Sequence, residues 1–437
     1  MNVKIKALAF VLMAVLLLCG CGQKSETAAA TPAQAVTASA AQSSTVRPVS
    51  TGVTPEQFGA KGDGIADDLR ALQAAMQQAS ASGRPLELTA GAVYRFSSCL
   101  GLPSGLTIQG NGAVLLSDIQ YPDLKEDRVA VELMKDSDDD RAHDVRLENV
   151  TFRAADSCQA NYMLRVMLAR NVEFVGCTFD CEPNEWGRCA ADLYGGNENI
   201  RFEGCVFHQM TSGASGGIWV RNWTDRVESR NIRFQNCEFY KSGADELLAV
   251  WGWGGAVRDV VLSGCSFYET QTQEALDADH RPVWFITLGQ SGTTDVRMED
   301  CTVRAEYCET IFRMVGDKTR AVVDNCDIIM KQPDSMAEHD MKKGANPMLA
   351  RGNDCSDGST AIQNSRITLS GDNGRRICYQ LSALKGNTLD VSLGYGIAST
   401  KKVSGNTIRG RIRHKVFQDC SGVENNNVEV RRFSILG

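Results

Sequence analysis

Six tryptophans, Trp186, Trp219, Trp223, Trp251, Trp253 and Trp284, are all this 437-residue chain has, and they fall in one stretch. Charged and phenolic residues accompany them: Asp192 and Tyr194, Arg221 beside Trp219, the pair Asp245 and Glu246, then Asp277, Asp279, His280 and Arg281. Outward-facing indoles are surfaces on which sugar rings stack. Glycoside hydrolysis needs two carboxyl groups flanking the bond, about 5–5.5 Å apart for retention or about 6.5–9.5 Å for inversion. A lyase or epimerase instead takes a proton from the carbon beside a uronate carboxylate while a cation neutralises that carboxylate. Asp245, Glu246, Asp277, Asp279, His280 and Arg221 are therefore the candidate catalytic residues. Asp192, Tyr194, Trp219, Trp251, Trp253, Arg281 and Trp284 are the candidate substrate-binding residues. Calcium is the one candidate cofactor, since Asp277 and Asp279 supply the carboxylate oxygens it prefers. The plainer alternative is that these side chains decorate long loops of a spacer or adhesin.

The elements that must position them announce themselves as a repeat. One phrase recurs: VRLENVTF, VEFVGCTF, IRFEGCVF, IRFQNCEF, VVLSGCSF and VRMEDCTV. Each alternates apolar and polar residues like a half-buried strand and then turns at Gly, Asn or Asp. The turn position is held by Val150, Cys177, Cys205, Cys237, Cys265, Cys301 and Cys326, in steps of 25 to 36 residues, and then by Ser365, Asn387, Asn406 and Asn426. A single strand with a fixed turn is the unit of a β-helix rather than of a four-stranded propeller blade. The expected fold is all-β: a single-stranded right-handed parallel β-helix.

Six cysteines in one column read as a small, weakly polar inner stack, because a uniform ladder gives no thiol a reason to choose one neighbour. No CxxC or His-rich cluster with zinc spacing occurs. Of the cysteines off the column, Cys181 and Cys189 in one loop are the candidate disulfide pair.

Before the repeat, residues 53–83 read VTPEQFGAKGDGIADDLRALQAAMQQASASG. Asp67 and Asp68 stand where a helix begins, and Leu69, Leu72, Ala75, Met76 and Ala79 follow helical spacing. Two strand-like runs, RPLELTAGAVYRFSS and LPSGLTIQGNG, come next. This opening resembles that of the pectate-lyase and polygalacturonase superfamily of β-helices, with its FGA-KGDG-x-x-DD turn, capping helix and Gly-rich strands. The resemblance implies a helix that plugs the open end of the solenoid, with Asp63, Asp67 and Asp68 as turn and cap residues. It also implies a role for GADELLAV, similar to the superfamily strand that carries paired aspartates, with Asp245 and Glu246 in those places. DADH at Asp277–His280 is similar to Asp/His motifs of pectate lyases and alginate epimerases. The polygalacturonase GHG motif is absent, and RIR at Arg411–Arg413 lies far down the chain, which departs from that enzyme's pattern.

The basic start MNVKIK and the apolar run ALAFVLMAVLLL suit a signal peptide, being short of the roughly 20 apolar residues of a membrane span. Leu18-Cys19-Gly20-Cys21 resembles the bacterial lipobox, which makes Cys21 the lipidation site. The resemblance implies anchoring in the outer membrane if the cell has two membranes. Residues 1–20 are thus the expected signal, 21–52 the lipidated cysteine and a flexible tether, 53–118 the cap and first rungs, and 119–437 further rungs. Removing residues 1–20 takes away Lys4 and Lys6, leaving 44 basic against 53 acidic residues, a formal net charge of −9. So acidic a body is a poor partner for nucleic acid. The expected function is a carbohydrate-active envelope protein, cleaving or modifying a polysaccharide on its middle rungs. The alternative is a non-catalytic binding or adhesive lipoprotein.

Overall fold

A computed structural model describes residues 52–120, 128–133, 140–180, 189–208, 217–222, 227–241, 246–269, 284–332, 347–353, 359–371 and 374–432. Among them every strand pairing is parallel, each strand lying against its counterpart one turn earlier and one turn later. The fold is a right-handed parallel β-helix with three faces. Face A runs from Leu100–Gly101 through Val129–Leu133, Tyr162–Val166, Cys189–Tyr194 and Ile218–Arg221 to Phe417–Gln418. Face B runs from Leu86–Glu87 through Thr107–Gln109 and Ala142–Glu148 to Val423–Glu424. Face C is a 14-stranded sheet from Asp63–Asp67 to Asn427–Arg431. Two long strands, Leu248–Ser263 and Trp284–Glu299, carry the chain from face A into face B without a break.

The repeated phrase is the B-to-C corner. Its last residue before the inward position has left-handed φ, as at Asn149 (52°), Gly176 (59°), Gly204 (58°), Asn236 (52°) and Asp300 (56°). Only Gly, Asn and Asp enter that region at little cost, so the turn chemistry fixes the motif. The following residue points inward, and Cys177, Cys205, Cys237, Cys265, Cys301 and Cys326 form a buried column. Each thiol donates to a carbonyl of its own rung or the preceding one: Cys205 to Phe174 O (3.3 Å), Cys237 to Gln235 O (3.4 Å), Cys301 to Glu299 O (3.1 Å). Hydrogen bonds between neighbouring thiols, together with burial, push Cys205 and Cys265 above the ordinary thiol range. The column then passes to Ser365, Asn387, Asn406 and Asn426, each side-chain oxygen accepting the backbone N–H of the residue one rung before at 3.0 Å.

Beside the thiols run two phenylalanine stacks, Phe152–Phe179–Phe207–Phe239–Phe267 and Phe174–Phe202–Phe234. Their successive ring centroids are 4.6–5.0 Å apart. The two stacks meet edge to face, the favoured geometry for ring quadrupoles.

A helix, α1 (Leu69–Ser82), closes the first turn with Leu72, Ala75, Met76 and Ala79 buried. The aspartates before it are structural. Asp68 is buried and accepts the N–H groups of Lys61 (2.7 Å) and Gly62 (3.0 Å) rather than capping its own helix. Asp67 accepts Leu69 N–H (3.2 Å). The Ala66 and Ile65 N–H groups hold the Asp63 carboxyl below its ordinary pKa. The first 51 residues, with Cys21, lie outside the described residues, as does Cys181. The Cys189 thiol donates to Ala191 O (3.2 Å) and Gly217 O (3.3 Å).

Candidate functional site

Strand register places one outward position of face A in line on successive rungs: Glu132, Arg165, Asp192, Trp219, Ala249, Thr287, Arg313, Arg351 and Tyr379. A second column, nearer the A-to-B corner, carries Tyr194, Arg221 and Trp251. Parallel pairing brings side chains one rung apart, about 4.8 Å, into contact, so residues some thirty positions apart in sequence become neighbours.

The upper part of this surface is a closed ionic cluster. Asp192 is 0% exposed. Arg221 Nε and Nη2 donate to its two oxygens at 2.7 and 2.8 Å, and Arg165 Nε donates at 3.3 Å. The two guanidiniums lie over aromatic rings: Arg165 over Tyr162 (4.5 Å), Arg221 over Trp219 (4.3 Å) and Tyr194 (5.0 Å). Burial disfavours the charged form of Arg221, but the hydrogen bonds and charge of Asp192 outweigh it and raise its pKa. Arg221 is thus a fixed cation, suited to neutralising an anion rather than to taking a proton. Asp192, expected to meet substrate, is shut between the two arginines.

Next to it Trp219 packs on Trp251 (centroids 5.4 Å apart, tilted 32°), and Trp251 meets Trp253 edge-on at 6.4 Å. Trp219 is 9% exposed and Trp253 56% exposed, so the tier opens progressively to solvent. The Nε1 groups of Trp219 and Trp251 are buried and have no hydrogen-bond partner among the described residues.

On the rung that carries Trp251, Glu246 is buried, and its Oε1 accepts Thr287 Oγ1 (2.5 Å) and Arg313 Nη1 (3.4 Å). Arg313 also donates to Gln290 Oε1 (3.0 Å) and sits 5.0 Å above the Trp284 ring, with Arg351 5.9 Å from the same ring. The hydroxyl and the guanidinium fix the Glu246 carboxylate against the next two rungs. The described structure thus gathers Asp192, Tyr194, Trp219, Arg221, Trp251 and Trp253 into one patch, with Glu246 and Trp284 in a second patch on the same face. Asp245, Asp277, Asp279, His280 and Arg281 lie outside the described residues, as do Trp186 and Trp223. Among the described residues no group of three or more His, Cys, Asp or Glu side chains is gathered to hold a metal ion.

Sequence reasoning missed Tyr162, Arg165, Thr287, Gln290, Arg313 and Arg351. Only the strand register identifies them, and it cannot be counted from the repeat because the distance from this column to the next B-to-C turn varies, from 8 residues after Tyr379 to 18 after Trp219. A larger hollow of about 480 Å³ lies on face B, over Val145 and Ile200. Its charged rim is paired off internally, Arg146 with Glu148 and Glu173, Arg233 with Asp259, so face A remains the better candidate.

Residues 53–266 match the family described as rhamnogalacturonase A/epimerase, pectate lyase-like. No curated protein sequence matches the chain. Among solved structures, the catalytic unit of a family GH87 α-1,3-glucanase from Streptomyces thermodiastaticus superposes with a TM-score of 0.54 at 15% identity, over 89% of this chain and 70% of that one. A family 28 exopolygalacturonase of Yersinia enterocolitica gives 0.44 at 12% identity, over 88% and 79%. ORF18 of Geobacillus virus E2 gives 0.49 at 14% identity over 87% of this chain, which spans only 62% of that protein's length.

Proposed function

Because the chain belongs to the pectate-lyase/polygalacturonase-like superfamily of parallel β-helix proteins, we propose that it is a carbohydrate-active protein that binds a polysaccharide along face A and cleaves or modifies it there. The observation that carries this reading is the continuous outward column in which an aromatic tier, Trp219–Trp251–Trp253, is flanked by Arg165 and Arg221 on one side and by Glu246, Arg313 and Arg351 on the other. Indoles supply faces for sugar rings, and guanidiniums in the same row suit a polymer bearing carboxylates. Glu246 serves as the proton acceptor, and Asp245 with Asp277, Asp279 and His280 completes the catalytic set. The chain is held in the cell envelope by lipid on Cys21, in the outer membrane of a two-membrane cell.

The test incubates the full chain with neutral and uronic polysaccharides, with and without calcium. New reducing ends identify a hydrolase, ultraviolet-absorbing unsaturated ends a lyase, and altered product NMR an epimerase. Glu246→Gln and Asp245→Asn should each abolish turnover; full activity in both would remove them from the site. A second reading, binding without turnover, is favoured by the closure of Asp192 between two guanidiniums. It predicts retention on a polysaccharide gel and no product in any of these assays.

A further inference from the structure

The solenoid is closed at its first rung, where α1 lies across it. Among the described residues nothing of the kind covers the last rung. Phe417–Gln418 on face A, Val423–Glu424 on face B and Asn427–Arg431 on face C each pair with the rung before, and no described strand lies beyond them. Their inward positions are uncovered as well. Ile397, Val403 and Ile408 are fully buried, but the residues registered on them differ: Phe417 is half-buried, Val423 is 42% exposed and Val428 38% exposed. Three free strand edges around an apolar centre are an arrangement that recruits a further strand.

A second copy of the same end fits it. Turned about a two-fold axis normal to face C, the solenoid presents its last rung with every strand reversed. Face C then meets face C antiparallel, and face A of one copy meets face B of the other. Inward side chains must stay with inward ones, so the axis on Asn427–Arg431 has to pass through a residue rather than between two. Glu429 is held on the outer side by Arg409 Nε (3.1 Å) and Asn427 Nδ2 (2.7 Å), and Arg431 is exposed two positions on. With the axis at Glu429, that carboxylate faces its own counterpart. With the axis at Val430, Glu429 lies opposite Arg431 of the second copy, twice, and valine packs on valine. The last rung, residues 413–432, meets the lower end of the roughly 20–30 residues a side that a specific interface takes.

We propose that the C-terminal edge is a self-association surface, on which a second copy of this chain docks end to end about a two-fold axis at Val430. The inference does not depend on the carbohydrate reading. Because α1 closes the other end of each copy, neither offers a second edge, and the assembly stops at two instead of growing into a fibre. Each copy covers the apolar centre of the other, as α1 covers that of the first rung.

Sedimentation equilibrium of the full chain in density-matched detergent tests it. The expected mass is that of two chains, with nothing larger. Glu429→Arg and Arg431→Glu should each raise the dimer dissociation constant about tenfold, since each sets two pairs of like charges across the axis, and the two changes together should bring it back. A role for these side chains within one copy would give no such recovery, because Arg409 still faces an arginine in the double variant. Val428→Lys, which puts a charge into the uncovered centre, should leave monomers. Unchanged circular dichroism of the charge variants will show that their last rung is folded. A monomeric full chain, a dimer indifferent to all of these changes, or a ladder of larger species overturns the proposal. So does a monomer that dimerises only when residues 433–437 are deleted, which would mean that the chain covers its own edge.

Discussion

At the scale of single residues, Asp192 determines whether the upper part of face A can exist. Both of its guanidinium partners are about nine-tenths buried, and it is wholly so. Removing the charge while keeping the shape, in Asp192→Asn, takes from two largely buried guanidiniums the carboxylate they share, a change that costs about 3–5 kcal/mol when a buried pair is broken. Chemical denaturation should show a loss of that order. An unchanged midpoint would mean that water reaches the cluster and that Arg165 and Arg221 are available to a ligand after all. Little of this was visible in the sequence. Asp192, Tyr194, Trp219 and Arg221 were recognisable by type, but Arg165 becomes a neighbour only through the pairing of strands 27 residues apart.

At the scale of the element, the corner explains why the repeat could be read at all. A left-handed residue followed by a small inward one is a local requirement, so it leaves the same mark on every rung, and the step from Cys326 to Ser365 to Asn387 changes the side chain while keeping the hydrogen-bond role. Ser365 already fills this place, with its hydroxyl on Gln363 O at 2.8 Å. Cys237→Ser should therefore lower stability by less than about 1 kcal/mol, whereas Cys237→Leu, overfilling a packed column, should cost about 1–3 kcal/mol. Thermal denaturation of the two variants would contradict the column's packing if the order were reversed. The outer face leaves no such mark. The number of residues between faces C and A varies from rung to rung, which is why the candidate site had to be found by geometry.

At the scale of the whole molecule, stability is passed from rung to rung, and each rung protects the hydrogen-bonding edge of the next. The first edge is covered by α1, whose Leu72 and Met76 are fully buried. Deleting residues 52–83 should expose that edge and convert a monodisperse protein into aggregates seen by light scattering. A soluble truncated chain with unchanged circular dichroism would show that the helix is dispensable.

The parallel pairing has a mechanical side as well. Every hydrogen bond between rungs points along the axis, so tension along that axis is borne in series and opens one rung at a time, beginning where it is applied. A pull transmitted through Gly52 meets the hydrogen bond from Arg84 to Gly52 O (3.0 Å) and then the isolated bridge between Val53 and Leu86.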